Sequence, residues 1–279
     1  MLAPAKINLT LHVTGQRADG YHLLDSLVVF ADFGDRLALE AGADALTLEL
    51  SGPQAAGVPP GADNLVLRAA RLAGARPARL RLDKHLPPAS GMGGGSSDAA
   101  AALRLLAHEQ GLALPDTAAL MALGADLPVC MQAPRPCRMR GLGEQIEVLE
   151  DVPGLHLLLA NPGRPLATPA VFAALGQRRN APMPEVLPRW ADGAELAHWL
   201  AGMRNDLEAP ARLLMPEVTD VIRVLAAQPG CLLARMTGSG ATCFGLFDSA
   251  ATLAAAKTGL DASGRGWFVM ASATAHRRA

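Results

Sequence analysis

The most informative segment of the 279-residue chain reads Pro87-Pro88-Ala89-Ser90-Gly91-Met92-Gly93-Gly94-Gly95-Ser96-Ser97-Asp98. Four of five consecutive residues in it are glycine, and the alanine- and leucine-rich run from Ala99 to Ala107 follows without a helix breaker. This pattern predicts a loop that leads into the N-terminus of a helix. Because the first N–H groups of a helix lack intrahelical partners and carry partial positive charge, such a loop can hold a phosphate group.

Three other kinds of structure also contain glycine-rich segments of this type. The simplest is a glycine turn whose helix is capped by Ser96 or Ser97. A Walker A loop would end in Gly-Lys-Ser/Thr, but the chain has no lysine between Lys84 and Lys257. A dinucleotide fingerprint is disfavoured for two reasons. Ser96 occupies its third glycine position, and Pro87 and Pro88 separate the glycines from the preceding strand. The sequence therefore favours a phosphate-binding loop of another kind.

Composition and charge limit the classes of protein to which this chain can belong. Half of the residues are hydrophobic, 18% are charged and the formal net charge is −1, which is typical of a globular protein without a basic surface for nucleic acid or anionic membranes. No apolar run approaches the roughly 18 residues of a membrane span, and the N-terminus lacks a signal- or transit-peptide pattern. The four cysteines form no Cys-x-x-Cys pair, so we expect reduced thiols in a cytoplasmic protein.

The N-terminal strand carries a second candidate site. Four polar residues, Lys6, Asn8, Thr10 and His12, alternate with apolar residues up to Val13, and this period of two predicts a strand with one buried face and one polar face. The lysine is notable because the chain contains only three. The polar face is either part of a site or the solvated face of an edge strand.

Three short motifs offer further candidate residues, each with a structural alternative. Tyr21-His22 could stack on a flat ring and hydrogen-bond its edge, or could only support the loop after Gly20. Asp126, in the motif Gly-Ala-Asp-Leu-Pro, could accept a proton or hold a cation, or could only cap a helix. The loop 236–241, with two glycines and two hydroxyl residues, is either part of a site or a hairpin turn.

Apolar and alternating segments predict the remaining elements. Strands are predicted over 23–30, 36–40 and 46–50, separated by turns at glycine and aspartate residues such as Gly34 and Asp35. Further strands are predicted over 79–83, 137–140, 145–149, 155–160, 231–234, 242–247 and 267–271. Helices are predicted over 63–73, with Asp63 as N-cap, and over 116–124, 168–172, 193–200, 216–227 and 250–260. The best boundary between two domains is the turn at 151–154.

In their order along the chain, these motifs resemble the GHMP small-molecule kinases. The resemblance rests on Pro4-Ala5-Lys6-Ile7-Asn8-Leu9, Gly20-Tyr21-His22, the glycine-rich segment, Gly124-Ala125-Asp126-Leu127-Pro128 and Thr237-Gly238-Ser239-Gly240. It spans nearly the whole chain and is closest to the branch whose alcohol substrate carries a cytidine diphosphate group, in the non-mevalonate isoprenoid pathway. It implies an α+β fold with an N-terminal domain, 1–152, of a mixed sheet with helices, and a ferredoxin-like C-terminal domain, 153–279.

The resemblance also implies a reaction, the phosphorylation of an alcohol by ATP and Mg²⁺. Asp126 would be the catalytic base and Lys6 its partner near the accepting hydroxyl. The residues that would hold the phosphates of ATP are Pro87, Pro88, Ala89, Ser90, Gly91, Met92, Gly93, Gly94, Gly95, Ser96 and Ser97. No metal ligand is assigned.

The substrate residues that the resemblance implies lie in three parts of the chain. Asn8 would help to position the substrate, His22 would read the cytosine edge, and Tyr21 and Phe172 would stack on the ring. The implied partners are small molecules, without nucleic acid or membrane, and the expected state is a monomer or weak homodimer.

The chain departs from the family pattern in few places. Ser90 stands where glycine or alanine is common, Met92 replaces the usual leucine, and the segment 133–140 is atypically rich in proline and arginine. Two other functions are less consistent with the motifs. A homoserine or mevalonate kinase is disfavoured by Gly20-Tyr21-His22, and a non-catalytic nucleotide-binding protein is disfavoured by the joint presence of Lys6 and Asp126.

Overall fold

Two β-sheets form the framework of the structure, a computed structural model that describes residues 1–274. The first sheet contains β1 (Leu2–Asn8), β2 (His12–Gln16), β3 (His22–Ala41), β4 (Thr47–Ser51), β5 (Ala78–Asp83), β6 (Cys137–Gly141) and β7 (Gln145–Val148). Its order is β4-β5-β3-β6-β7, and β1 and β2 also pair with β3. Because β4 and β5 are parallel and the other pairs are antiparallel, the predicted mixed sheet is confirmed.

The second sheet lies in the C-terminal half and contains β8 (His156–Asn161), β9 (Cys231–Met236), β10 (Cys243–Phe247) and β11 (Phe268–Ala273). Its order is β11-β8-β10-β9 and all of its pairs are antiparallel. Helices connect β8 to β9 and β10 to β11. This βαββαβ arrangement is ferredoxin-like, as the resemblance implied.

The helices cover these sheets and occupy most of the predicted positions. They are α1 (Leu65–Leu72), α2 (Gly94–Gln110), α3 (Thr117–Leu123), α4 (Leu127–Cys130), α5 (Thr168–Ala173), α6 (Gly193–Ala201), α7 (Glu208–Leu214), α8 (Glu217–Ala226) and α9 (Ala250–Ala262). Helix α2 buries its run of alanines against β1, β3 and α1, because small side chains let the helix approach the sheet closely. None of the helices in residues 1–274 is both long and apolar enough to span a membrane.

Strand β3 corrects one prediction. The turn expected between 30 and 36 is absent, and one strand of 20 residues runs through it. The glycine and aspartate that suggested a turn serve tertiary contacts. A Cβ on Gly34 would lie 2.6 Å from Pro4 Cα, so the glycine allows β1 to approach. The carboxylate of Asp35 accepts hydrogen bonds from the N–H groups of His85 and Leu86, at 2.5 and 2.8 Å.

The N-terminal polar face is buried, so its interpretation as a solvated edge is wrong. Lys6, Asn8, Thr10 and His12 are each at most 3% exposed. The predicted continuous strand is interrupted after β1, where Thr10 Oγ1 accepts a hydrogen bond from Leu27 N at 2.8 Å. Residues from the second half of the chain cover this face; for example, a ring nitrogen of His12 contacts the carbonyl oxygen of Ala181 at 3.2 Å.

Two further details concern element boundaries. Helix α1 is capped by Asn64 rather than by the predicted Asp63, because the Asn64 side-chain oxygen accepts the Val66 N–H at 2.9 Å. The two sheets share one hydrophobic cluster that contains Ile7 of β1 and Leu157 of β8. The boundary after residue 152 falls between β7 and β8 and stays a prediction.

Candidate active site

A cavity of about 820 Å³ lies where the glycine-rich segment meets β1, α5 and the loop between β9 and β10. Lys6 and Asn8 line it from β1, and Asp126 lines it from the residues before α4. Strand β1 and the turn before α4 are 120 residues apart in sequence, and the fold brings them to the same wall. This cavity therefore collects the candidate residues from both halves of the chain.

Lys6 and Asp126 form an ion pair in the cavity wall. Lys6 Nζ donates to Asp126 Oδ1 at 2.7 Å, and the two side chains are 4% and 37% exposed. Asp126 occupies the N-cap position of α4, but its side chain makes no capping hydrogen bond. The cap interpretation therefore does not explain this carboxylate. Its accessible oxygen can accept a proton from a bound hydroxyl group, with an ammonium group beside it to balance charge.

The glycine-rich segment forms the N-terminus of α2, as predicted. Gly93 is the N-cap, with a left-handed φ of 63° and no side-chain capping bond. The alternative of a serine cap is wrong, because the hydroxyl of Ser97 donates instead to the carbonyl oxygen of Pro4 at 2.7 Å. The first N–H groups of this 17-residue helix thus have no side-chain acceptor within residues 1–274, which suits them to bind an anion.

The loop between β9 and β10 supports the glycine-rich segment. It closes an antiparallel hairpin, as one interpretation held, and Gly238 and Ser239 also line the cavity. Thr237 Oγ1 accepts the N–H of Asn8 at 2.8 Å. A Cβ on Gly91 would lie 2.6 Å from the carbonyl oxygen of Thr237, so close contact between the two loops requires glycine there.

The predicted phosphate residues do not all face the same space. Those that line the main cavity are Ala89, Ser90, Gly91, Gly93, Gly94, Gly95 and Ser96. Pro87 and Pro88 line a second cavity of about 270 Å³, which shares Ala89, Gly94 and Gly95 with the first. Met92 and Ser97 line neither, because the side chain of Met92 is fully buried in the core and the Ser97 hydroxyl is bound to β1. The glycine-rich segment thus separates two cavities.

The second cavity contains a buried ionic cluster that the sequence analysis missed. Lys84 Nζ donates to Asp98 Oδ2 at 2.7 Å and also to Asp35 Oδ2. Burial raises the pKa of Asp98 to about 8, against the opposing charge of Lys84. Burial alone would lower the pKa of Lys84, but the two carboxylates outweigh it and raise that pKa. The position of a rare lysine just before the glycine-rich segment was the available signal.

The pair Tyr21-His22 takes two different environments. The rings of His22 and Phe172 are stacked, with centroids 4.8 Å apart, whereas Tyr21 is 64% exposed at the cavity. His22 Nε2 is buried without a hydrogen-bond partner among the described residues. Burial lowers the pKa of His22 and the charge of Arg178 lowers it further, which favours the neutral imidazole. Stacking of a base on Tyr21 or Phe172 stays a prediction.

Asn8 offers the cavity a second unpaired polar atom. Its Nδ2 donates to Ser26 Oγ at 2.8 Å, and this bond fixes the orientation of the amide. Its Oδ1 is buried without a partner among the described residues. An acceptor in this state can receive a hydrogen bond from a substrate hydroxyl group.

Comparison with known proteins assigns the family. The family models "GHMP kinases N terminal domain" and "GHMP kinases C terminal" match residues 64–137 and 185–266. The chain is 59% identical over 268 residues to the 4-diphosphocytidyl-2-C-methyl-D-erythritol kinase of Cereibacter sphaeroides, covering 96% of each protein. It is 56% identical to the protein of the same name from Paracoccus denitrificans, covering 98% of this chain and 96% of the relative.

A solved structure agrees with these relatives. The crystal structure of 4-(cytidine 5'-diphospho)-2C-methyl-D-erythritol kinase superposes with a TM-score of 0.75 at 33% identity, covering 98% of each chain. The expected α+β fold with an N-terminal and a C-terminal GHMP kinase domain is therefore confirmed. This chain belongs to the 4-diphosphocytidyl-2-C-methyl-D-erythritol kinase family of the GHMP kinases.

Proposed function

We propose that this kinase transfers the γ-phosphoryl group of ATP to the 2-hydroxyl of 4-diphosphocytidyl-2-C-methyl-D-erythritol, a step of the non-mevalonate isoprenoid precursor pathway. The observation that carries the proposal is the sharing of one cavity. The Lys6–Asp126 pair, the N-terminus of α2 and the His22–Phe172 stack all line it. A kinase for a nucleotide-linked alcohol needs these three parts within reach of one bound substrate.

In this proposal Asp126 accepts the proton of the 2-hydroxyl. The accepting carbon also carries a methyl group, so the hydroxyl is tertiary, crowded and weakly acidic. Phosphoryl transfer depends mainly on positioning and on stabilising the spread negative charge, so a fixed carboxylate is more useful here than a strong base. Lys6, paired with it at 2.7 Å, would also stabilise negative charge on the attacking oxygen.

The N-terminus of α2 would bind the transferred phosphates. Residues 93–96 line the cavity, and their backbone N–H groups at the start of a helix provide donors and partial positive charge. The absence of side chains on the glycines lets phosphate oxygens reach the backbone. The same donors would stabilise the transition state without moving.

The two cavities suggest where the two nucleosides lie. We propose that the adenosine of ATP enters the smaller cavity beside Asn64 and Pro88, while its phosphates cross the glycine-rich segment towards Asp126. The cytidine would lie against His22 and Tyr21 in the main cavity, with Asn8 directed at the erythritol part of the substrate. In this proposed arrangement the γ-phosphate and the accepting hydroxyl would lie on the same side of the glycine-rich segment.

We propose that Mg²⁺ accompanies ATP. Among residues 1–274 no group of three or more His, Cys, Asp or Glu side chains is arranged to hold a metal ion. In this proposal the ion is carried mostly by phosphates and water, with one or two protein oxygens. Asp126 and the Ser96 hydroxyl are two of the cavity oxygens that could contribute. The ion would neutralise charge on the phosphates.

We further propose that the enzyme works in the cytoplasm as a monomer or weak homodimer on small molecules only. The described residues include all four cysteines and these are free, which suits a reducing compartment. The net charge of −1 argues against a nucleic-acid partner.

A direct assay tests the proposed function. Purified protein is incubated with ATP, Mg²⁺ and 4-diphosphocytidyl-2-C-methyl-D-erythritol, and ADP and the mass of the product are measured. We expect one phosphate added per ADP formed and loss of turnover when EDTA removes the metal. Formation of ADP without a phosphorylated product, or no ADP above hydrolysis of ATP alone, would contradict the proposal.

A further inference from the structure

One positively charged side chain in the wall of the main cavity, that of Arg178, has no role in the chemistry proposed so far. The charged lining residues of this cavity are Lys6, Asp126 and Arg178. Lys6 and Asp126 balance each other at 2.7 Å. Arg178 forms no ion pair with any carboxylate within residues 1–274. Arg178 is exposed to solvent and therefore offers the cavity one positive charge that an anionic ligand can pair with.

Arg178 is held beside the loop that carries Tyr21 and His22. Its Nη1 donates to Gln16 Oε1 at 3.2 Å, and Gln16 Nε2 donates in turn to the carbonyl oxygen of Gly20 at 2.9 Å. Asn180 fixes the segment to β2, because its backbone N–H and its Nδ2 both donate to the carbonyl oxygen of Val13, at 3.0 and 3.1 Å. The guanidinium group is thus tied to the nucleoside side of the cavity, with donors left over for a ligand.

The substrate class of the proposed function supplies a matching anion. A nucleoside diphosphate alcohol carries its negative charge on the diphosphate, between the base and the accepting hydroxyl. The guanidinium group presents donors in a planar fork that matches phosphate oxygens, and such charge-assisted bonds are about twice as strong as neutral ones. Lys6 is less suitable because it is 4% exposed and already bound to Asp126.

We propose that Arg178 binds the diphosphate of the cytidine diphosphate substrate and thereby contributes to its selection over uncharged alcohols. This inference rests on the proposed function and extends it to a residue outside the family motifs of the sequence. Because Arg178 would contact the non-reacting part of the substrate, it would contribute equally in the ground state and the transition state. We therefore expect an effect on KM rather than on kcat.

Binding of CDP and of cytidine to Arg178→Gln, measured by calorimetry, tests the proposal. The variant loses charge-assisted hydrogen bonds to the diphosphate, so CDP affinity should fall roughly 10- to 100-fold. Cytidine and ATP affinities should stay within about twofold, and KM for the full substrate should rise while kcat holds. Arg178→Lys, which keeps the charge but not the fork, should restore part of the CDP affinity.

Arg179→Gln is the matched control, because it removes the same charge from the next residue, which is exposed like Arg178 but lies outside the main cavity. It should bind CDP as the wild type does. The proposal is overturned if Arg178→Gln keeps its CDP affinity, loses cytidine affinity equally, or weakens no more than Arg179→Gln. A wild-type protein that neither binds CDP nor phosphorylates the substrate would instead overturn the proposed function.

Discussion

At the scale of single residues, the proposed chemistry depends on the direction of the Asp126 carboxylate. Asp126 stands at a helix N-cap, where a sequence alone cannot distinguish a capping role from a catalytic one. The structure turns its side chain to Lys6 instead of to the backbone of α4. The neighbouring helix α3 shows the alternative, because Asp116 accepts the Ala119 N–H at 2.8 Å as a true cap.

The first prediction follows from this contrast. Asp126→Asn should lower kcat by at least about 100-fold, the lower range for general acid–base catalysis, while melting temperature and ATP affinity stay close to the wild type. Asp116→Asn makes the same chemical change at the capping aspartate and should leave kcat unchanged. Turnover close to the wild type in folded Asp126→Asn would exclude it as the base. Steady-state kinetics gives kcat, and calorimetry gives the melting temperature and the ATP affinity.

The second prediction concerns His22, whose ring stacks on Phe172 and whose Nε2 has no described partner. His22→Phe keeps an aromatic ring for that stack but removes the ring nitrogens. Leaving base groups unpaired costs about 1–3 kcal/mol per group, so kcat/KM for the cytidine substrate should fall about 10- to 100-fold with ATP affinity unchanged. His22→Ala should add a loss of stability, because an aromatic pair contributes about 0.5–1.5 kcal/mol.

These two variants separate base recognition from support of the loop. If His22 only supports Phe172, His22→Phe will keep full kcat/KM and His22→Ala will lose stability without any selective loss for the cytidine substrate. That pattern would remove His22 from the substrate site. Melting temperature, ATP binding and kcat/KM measured on both variants provide the comparison.

The resemblance to the GHMP kinases implied that Lys6 is the partner of Asp126, and the structure brings the two side chains into contact across 120 positions. Their roles in catalysis stay a prediction. Arg178 could not be found in the same way, because its environment is made by Gln16, 162 residues away, and by a loop without regular structure. The Lys84 cluster was missed for a similar reason, since Asp35 appeared to mark a turn.

At the scale of elements, the proposed phosphate site depends on the start of α2. Gly93 has a φ of 63°, and a Cβ there would lie 3.1 Å from Lys6 Cε. Gly111, at the other end of the same helix, has a φ of 68° and open space around it. Both positions therefore disfavour a side chain by about 1–2 kcal/mol on backbone grounds, but only Gly93 adjoins the cavity.

The third prediction uses this matched pair. Gly93→Ala and Gly111→Ala should lower the free energy of unfolding by similar amounts, because both force a left-handed residue. Only Gly93→Ala should weaken ATP binding and lower kcat, since its methyl group would press on Lys6 and on bound phosphate. Equal ATP affinity in the two folded variants would show that Gly93 has a structural role and does not contribute to phosphate binding. Denaturant titration and calorimetry measure the two effects.

The ionic cluster ties three elements together and gives a pH-dependent prediction. Lys84 follows β5, Asp35 belongs to β3 and Asp98 to the first turns of α2. The pKa of Asp98, 3.8 in its ordinary state, rises to about 8 in the fold. A group that holds its proton more tightly in the folded state stabilises the fold at low pH and loses that contribution as pH rises through its folded pKa.

The fourth prediction is therefore that the free energy of unfolding depends differently on pH in the wild type and in Asp98→Asn. The free energy of unfolding of the wild type should fall, relative to Asp98→Asn, between about pH 4 and about pH 8, because asparagine has no proton to lose. Lys84 and Asp35 face the same group, and both are unchanged in the variant. Parallel stability curves over this range would show that Asp98 titrates normally. Urea unfolding at several pH values supplies the curves.

Element prediction from sequence was good for local patterns and failed where tertiary contacts replaced local ones. The helix after the glycine-rich segment and the two strands on either side of the loop 236–241 were predicted correctly. The break in β3 was wrong, because Gly34 serves the approach of β1 and not a turn. The cap of α1 was displaced by one residue, to Asn64, whose amide also donates to the carbonyl oxygen of Pro59 at 2.7 Å.

At the scale of the whole molecule, the site exists because the two halves of the chain pack together. Ile7 and Leu157, from different sheets, share one core cluster, and the loop after β9 supports both Asn8 and the glycine-rich segment. The overall architecture could be predicted from the order of motifs. The shape of the cavity could not, because loops from distant parts of the chain build its walls.

We propose for the whole molecule that its main cavity both selects a cytidine-linked alcohol and phosphorylates the 2-hydroxyl of that alcohol. The most direct measurement is a competition in which equal amounts of 4-diphosphocytidyl-2-C-methyl-D-erythritol, mevalonate and homoserine compete for limiting ATP and Mg²⁺, followed by ³¹P NMR. We predict a new phosphomonoester only on the cytidine compound, attached to carbon 2, with mevalonate and homoserine unchanged. Phosphate on mevalonate or homoserine, or on another hydroxyl of the cytidine compound, would contradict the account.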